Sequence, residues 1–236
     1  MTVPSRAPAS AELLEAWETG RVQHPLDRAL TLLRAFTGIE RRRLAEISIG
    51  ERDELLLSLR RRFFGDQLEA VCRCEHCGEP NEFAIDASAL PVRPERDGSP
   101  AVSLERDGVT IAVRLPNSFD VAAVAGLDEE QALHDLIARC TIGDVVASGD
   151  DVEQLDALMR EAEPLAALDL GFACCACARS NAVAFDAAAF LWSDVADASR
   201  RLLFDVDALA RAYGWSEAEI LALSPRRRAS YVRLGR

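Results

Sequence analysis

Lysine is missing altogether: every one of the 27 basic side chains in this 236-residue chain is an arginine. That excludes a phosphate-loop lysine, a Schiff-base lysine and a kinase-type strand lysine. Histidine is scarce too, with only His24, His76 and His134, so histidine-centred triads have few candidate bases. No apolar run approaches the ~20 residues needed to span a bilayer. The start of the chain shows no basic segment leading into an apolar stretch, which makes the cytoplasm the expected address. Positive charge is in deficit, with 39 acids giving a net charge of −12, and this argues against a protein that mainly neutralises nucleic-acid phosphates. The arginine-only usage itself reads as coding bias and carries no functional meaning.

What is present is the composition of a folded protein, 49% hydrophobic and 28% charged, with enough length for one large domain or two small ones. Seven cysteines in a reducing compartment read as thiols or metal ligands and not as a disulfide framework. Four of them belong to an internal repeat. The segment Cys74–Leu90, CEHCGEPNEFAIDASAL, aligns without gaps on Cys174–Phe190, CCACARSNAVAFDAAAF, and seven of the seventeen columns are identical. Each copy reads as a C-x2-C turn, a polar loop, a short strand and an Asp-led alanine-rich segment able to start a helix.

A C-x2-C turn brings two thiolates onto one side and so supplies half of a tetrahedral zinc site; two turns facing each other complete it. Cys74, Cys77, Cys174 and Cys177 are therefore the expected ligands of a structural Zn2+, closed by sulfur on all four sides. Against this, free cysteine is a common buried small residue, and the 96 residues between the half-sites far exceed the spacing of compact zinc motifs. The repeat extends past the cysteines to Asn81/Asn181 and Asp86/Asp186, which favours the shared site. Cys72 and Cys175 remain open as substitutes for a neighbouring ligand. Cys140 is expected in the core, and His76 and His134 at the surface.

Around this ribbon the pattern is mainly helical. SAELLEAWETG behind a Ser10 cap, PLDRALTLLRAF after Pro25, and ERDELLLSLRRRFF between Ser48 and Gly65 carry apolar stripes at helical spacing. Asp107-Gly108 between two alternating segments predicts a β-hairpin. Asn117 or Ser118 and Asp128 start helices, and GDDVEQLDALMREAEPL is a further amphipathic one. The C-terminal part reads as a long helix broken at Gly214, a capping box from Ser216 to Glu219, and a last helix behind Ser224-Pro225. The triplets Arg41–Arg43 and Arg60–Arg62 read as solvated helix faces, and Arg226–Arg228 as a surface patch. We expect an α+β protein, mainly helical, with a split zinc-ribbon-like β core at 69–90 and 170–190. A helical region at 1–68, a hairpin-plus-helix insertion at 91–169 and C-terminal helices at 191–236 complete it. No catalytic set emerges, and no enzyme is expected.

Three segments together, SIGERDELLLSLRRRFFG running into the first C-x2-C turn, IAVRLPNSFDVAAV, and LLFDVDALARAYGWSEAEILALSPRRRASYVRL, resemble the baseplate proteins of contractile phage tails and of extracellular contractile injection systems. Within these the chain is similar to the group of the T-even phage baseplate hub assembly chaperone. The resemblance implies a non-enzymatic assembly factor or minor structural component of the baseplate or central hub. It would bind hub or spike proteins in the cytoplasm and either leave or enter the finished particle. No small-molecule substrate or membrane is expected, and nucleic acid is not expected as a partner. Trp215, Ile220, Leu221, Leu223, Pro225, Tyr231 and Leu234 are then candidates for the docking surface, the alternative for each being packing within the fold. The competing class is a zinc-ribbon adaptor that binds nucleic acid or transcription machinery; a metal enzyme would need an open ligand position.

Overall fold

The computed structural model describes residues 6–91, 93–94 and 101–235. The first five residues of the expected N-terminal region, positions 92 and 95–100 of the expected insertion, and Arg236 of the expected C-terminal helices lie outside them. The described residues form ten α-helices and seven strands, the mixture of helix and small antiparallel sheets expected. They divide into two compact units, one made of residues 6–39 and 188–235, the other of residues 40–187.

The first unit joins the two ends of the chain. It holds α1 (Ser10–Gly20), α2 (Pro25–Thr37), α8 (Ala187–Tyr213, from its second residue), α9 (Glu217–Ala222) and α10 (Pro225–Leu234). The cap of α1 is Ala9 and not Ser10: its backbone N–H donates to Glu12. Ser10 is the first helical residue, and its hydroxyl accepts from Arg228. Arg228 also donates to Asp205 at 3.2 Å and is buried, so the expected surface triplet Arg226–Arg228 gives up one of its three charges to an internal pair. The C-terminal caps are as expected: Gly214 ends α8 with φ +69, Ser216 and Glu219 cap α9 reciprocally, and Ser224 accepts from Arg227 N–H at the start of α10. Leu30, Leu33, Phe36, Leu191, Val195 and Leu209 are buried in this unit, each worth about 2 kcal/mol of transfer free energy.

The second unit begins with α3 (Arg41–Glu46) and α4 (Ile49–Phe64), and continues through a hairpin, β1 (Gln67–Arg73) with β2 (Pro80–Asp86), which ends in a single 3-10 turn at Ala87–Ala89. Ser48 caps α4 and Gly65 ends it at φ +95. Arg60 is buried and donates to the Gly65 carbonyl, so the triplet Arg60–Arg62 is not wholly a solvated face. Next come β3 (Ala101–Arg106) and β4 (Val109–Arg114), joined by a two-residue turn in which Asp107 and Gly108 both have positive φ, as a type I′ hairpin requires. The short β5 (Thr141–Ile142) adds to β4. Between β4 and β5 lie α5 (Ser118–Val124), capped by Asn117, and α6 (Glu129–Cys140), capped by Asp128.

α7 (Gly149–Ala162) follows β5. The sheet β3–β4–β5 packs on α6 and α7 around Val102, Ile111, Val113, Ile137, Cys140, Leu155 and Met159, which places Cys140 in the core as expected. The unit closes with a second hairpin, β6 (Asp169–Ala173) with β7 (Ser180–Ala184). Among the described residues no helix is long and apolar enough to cross a membrane.

Candidate metal centre

The two hairpins carry the repeat. In each, the chain runs up one strand, turns through the two cysteines, and comes back down: Cys72 pairs with Asn81 in the first, Phe172 with Asn181 in the second. The turns share their hydrogen bonds. Cys74 N–H donates to the Glu79 carbonyl and Cys174 N–H to the Arg179 carbonyl, both at 2.9 Å. Gly78 N–H closes on the Cys74 carbonyl at 2.8 Å and Ala178 N–H on the Cys174 carbonyl at 3.0 Å. Those closing residues are left-handed, with φ +76 at Gly78 and +59 at Ala178. Glycine takes that conformation without cost, whereas alanine is strained there. Ala178→Gly is accordingly expected to stabilise the protein by about 1 kcal/mol, read as a higher urea midpoint with an unchanged slope.

Folded in this way, the hairpins face each other and bring Cys74, Cys77, Cys174 and Cys177 together, their four sulfurs all within 4.8 Å of one another. Cys74 Sγ lies 3.7 Å from Cys177 Sγ, and Cys77 Sγ 3.6 Å from Cys174 Sγ. A tetrahedron of sulfurs about 2.3 Å from a central ion has edges of about 3.8 Å, so these pairs already stand at ligand spacing. They are too far apart for S–S bonds, which are near 2.05 Å. Four soft donors at this spacing could hold a metal ion. Cys74 and Cys174 are buried, while Cys77 and Cys177 are exposed, an outer pair over an inner pair.

Backbone amides point at the inner sulfurs: His76 N–H at Cys74 Sγ and Ala176 N–H at Cys174 Sγ, each at 3.4 Å. The N–H groups of Cys177 and Ala176 pull Cys174 down to about 6 against the effect of burial, with help from the Cys77 and Asn81 side chains. Cys77 goes the other way. Glu79 N–H favours its thiolate, but the Cys174 sulfur, burial and the two other sulfurs push it up to about 12. Against burial, the N–H groups of His76 and Cys77 lower Cys74 as well, so the nest favours both inner thiolates and resists the outer one at Cys77. A divalent cation, whose charge lowers the pKa of every sulfur it binds, relieves that repulsion.

Cys72 and Cys175, the two open alternatives, are not part of this group of sulfurs. Cys72 is half-buried on β1 at the repeat position of Phe172, whose ring stacks on Phe83 at 5.6 Å; the position belongs to packing. Cys175 is exposed, its sulfur 4.0 Å from the Pro80 carbonyl. His76 and His134 are exposed, as expected.

Sequence reasoning marked Asn81 and Asn181 as repeat columns and gave them no role. Each crosses to the opposite turn. Asn81 Oδ1 accepts from Cys175 N–H at 2.8 Å, and Asn181 Oδ1 accepts from Glu75 N–H at 3.0 Å. The available signal was an identical asparagine four residues after the second cysteine of both copies.

The candidate docking residues are scattered in exposure. Ile220 is fully buried and Leu234 is 76% exposed, while Leu221 and Leu223 are half-buried. Trp215 lies on Tyr213 with ring centres 4.8 Å apart and meets the edge of Tyr231 at 4.9 Å. Ile220 thus belongs to the packing of its own unit.

Comparison with known families returns a model described as T4 bacteriophage base plate protein, matching residues 23–162. The matched stretch takes in Cys74 and Cys77 and stops before Cys174 and Cys177. No curated protein and no solved structure matches the chain.

Proposed function

The chain belongs to the T4 bacteriophage base plate protein family, and from that membership we propose that it is a non-enzymatic assembly factor or minor structural component of the baseplate hub in a contractile tail-like injection system. The match over residues 23–162 is the observation that carries this reading. The chemistry of the four cysteines agrees with it. With sulfur at all four corners a bound ion keeps no open position for water or substrate, the mark of a structural site. We assign Zn2+ to the site, because four thiolates in tetrahedral spacing are a zinc or iron–sulfur donor set and a single-ion arrangement suits these S···S distances. The result is a split zinc-ribbon-like core, its halves contributed by β1–β2 and β6–β7.

The partners we propose are hub or spike proteins, met in the cytoplasm before the particle is complete. Trp215, Leu221, Leu223, Tyr231 and Leu234 remain the proposed docking residues, with Leu234 the most accessible of them. The net charge of −12 keeps such a protein soluble while it waits for partners. The C-terminal arginine triplet, the surface patch a nucleic-acid adaptor could offer, has Arg228 committed to Asp205 and Ser10.

Deletion of the gene in its own host tests the proposal. Particles purified from the deletion strain and viewed by electron microscopy are expected to lack assembled baseplates, and the chain expressed from a plasmid to restore them. Intact, active particles in the deletion strain would overturn the reading. Mass spectrometry of finished wild-type particles then separates a resident subunit from a factor that leaves.

A further inference from the structure

We propose that Asn81 and Asn181 are the positioning residues of the metal centre: each side chain binds the backbone of the opposite cysteine turn, holding the half-sites in register without the ion, and Asn81 in addition donates to one ligand sulfur. The inference rests on the zinc reading above and goes beyond it.

The geometry is reciprocal. Asn81 stands on β2 of the first hairpin and accepts from Cys175 N–H of the second turn; Asn181 stands on β7 of the second hairpin and accepts from Glu75 N–H of the first. In both turns the bonded amide is that of the residue directly after the first cysteine. Each asparagine is fixed from behind by a second bond within its own turn, Asn81 Nδ2 to the Glu79 carbonyl at 2.8 Å and Asn181 Nδ2 to the Arg179 carbonyl at 2.9 Å. Both are buried, so the amides they bind have a partner even though the turns themselves stand near solvent. Two such bonds, one from each hairpin to the other's turn, stop the hairpins from sliding or rotating against each other. A two-stranded hairpin has little stability alone, and a metal site assembled from two free hairpins would have to order both on binding. A clasp made beforehand removes part of that cost, the logic of preorganisation.

The two asparagines are not equivalent. The amide nitrogen of Asn81 also lies 3.7 Å from Cys174 Sγ, so Asn81 touches a ligand sulfur as well as the opposite backbone. Groups of this kind orient ligands and tune the metal, and their loss typically costs about 10–100-fold in metal affinity.

The test uses the full chain with Zn2+ and Co2+ as probes. Competition against a chelator of known affinity is expected to show Zn2+ binding weakened about tenfold or more in both Asn81→Ala and Asn181→Ala. The sulfur-to-cobalt charge-transfer band separates a positioning role from a general loss of stability. A hydrogen bond to sulfur raises the energy of that band, so Asn81→Ala is expected to move it to longer wavelength while Asn181→Ala leaves it in place. Amide hydrogen exchange on the metal-free wild type should find Glu75 and Cys175 N–H protected. Asn81→Asp, which keeps the acceptor oxygen, should retain protection at Cys175 and still shift the band. Affinity unchanged in both alanine variants, or identical bands in all, would overturn the clasp while leaving the zinc site standing. A wild type that binds neither ion through four thiolates would overturn the site and the clasp together.

Discussion

Stripping the proposed Zn2+ from the purified protein is expected to give the largest single loss of stability available short of unfolding. Structural zinc sites contribute about 10–16 kcal/mol of apparent binding free energy at neutral pH, against about 5–15 kcal/mol for the whole stability of a typical domain. Here the ion would tie β1–β2 to β6–β7, and the direct ties otherwise seen between them include the Asn81 and Asn181 bonds and the Phe83–Phe172 stack. A chelator such as EDTA should therefore lower the melting temperature by tens of degrees, and added Zn2+ should restore it. The double variant Cys77→Ser/Cys177→Ser, which removes one sulfur from each half-site, should purify with substoichiometric metal and melt like the chelated wild type.

The pH dependence has a definite sign. Zinc binds thiolates, so the loaded folded state carries fewer protons than the unfolded chain, whose thiols titrate near 8.5. Stability therefore rises with pH below that value and is lost as the solution is acidified and protons displace the ion. Metal content near zero in freshly purified protein, together with unchanged melting of the double variant, would reject the site.

The parts of this molecule legible in advance were those decided within a few residues. Ser48, Asn117, Asp128 and Ser224 accept from the first amides of their helices because each bond spans two or three positions. Asp107-Gly108 makes its turn through its own φ angles. The four cysteines became legible at a distance of a hundred residues only because the motif occurs twice. What stayed hidden depends on which segments meet. That Asn81 serves Cys175 and Asn181 serves Glu75 follows from docking of the hairpins, not from either hairpin alone. Arg228 looks solvated inside an arginine triplet, and only the return of α10 to Asp205 and Ser10 buries it. Ile220 matches a docking residue in character, yet it is spent on its own unit's interior. The gathering of residues 6–39 with 188–235 into one unit has the same origin, since no local pattern pairs the first helices with the last.

Gly50→Ala should destabilise the protein by about 3 kcal/mol, although helix propensity alone predicts a gain of about 0.5–1 kcal/mol for replacing a helical glycine by alanine. Gly50 is the second residue of α4, and the Glu163 side chain lies directly over it. The Glu163 carboxylate accepts from Gly50 N–H at 2.9 Å and from the Ser48 hydroxyl, with Arg93 3.7 Å away. Its side chain is only 4% exposed. An anion at a helix N-terminus completes the unpaired amides and meets the favourable end of the helix dipole, so the bond between α4 and the end of α7 is a strong one.

A Cβ on residue 50 would stand 2.5 Å from the Cβ and Cδ of Glu163. Such an approach is impossible, and Glu163 would have to leave. Its displacement breaks the bonds that a buried carboxylate makes to Gly50 N–H and the Ser48 hydroxyl, a loss on the scale of about 3–5 kcal/mol, and this outweighs the propensity gain. Gly149→Ala is the matched control, since Gly149 opens α7 and a methyl group added there would meet nothing within 4 Å; it should be neutral or stabilising by up to about 1 kcal/mol. The double variant Gly50→Ala/Glu163→Ala should cost clearly less than the sum of the two single variants, because one displaced side chain accounts for most of both. Urea unfolding of wild type and these variants reads all of these values. A Gly50→Ala midpoint equal to that of wild type would mean that Glu163 does not seat on α4 in solution.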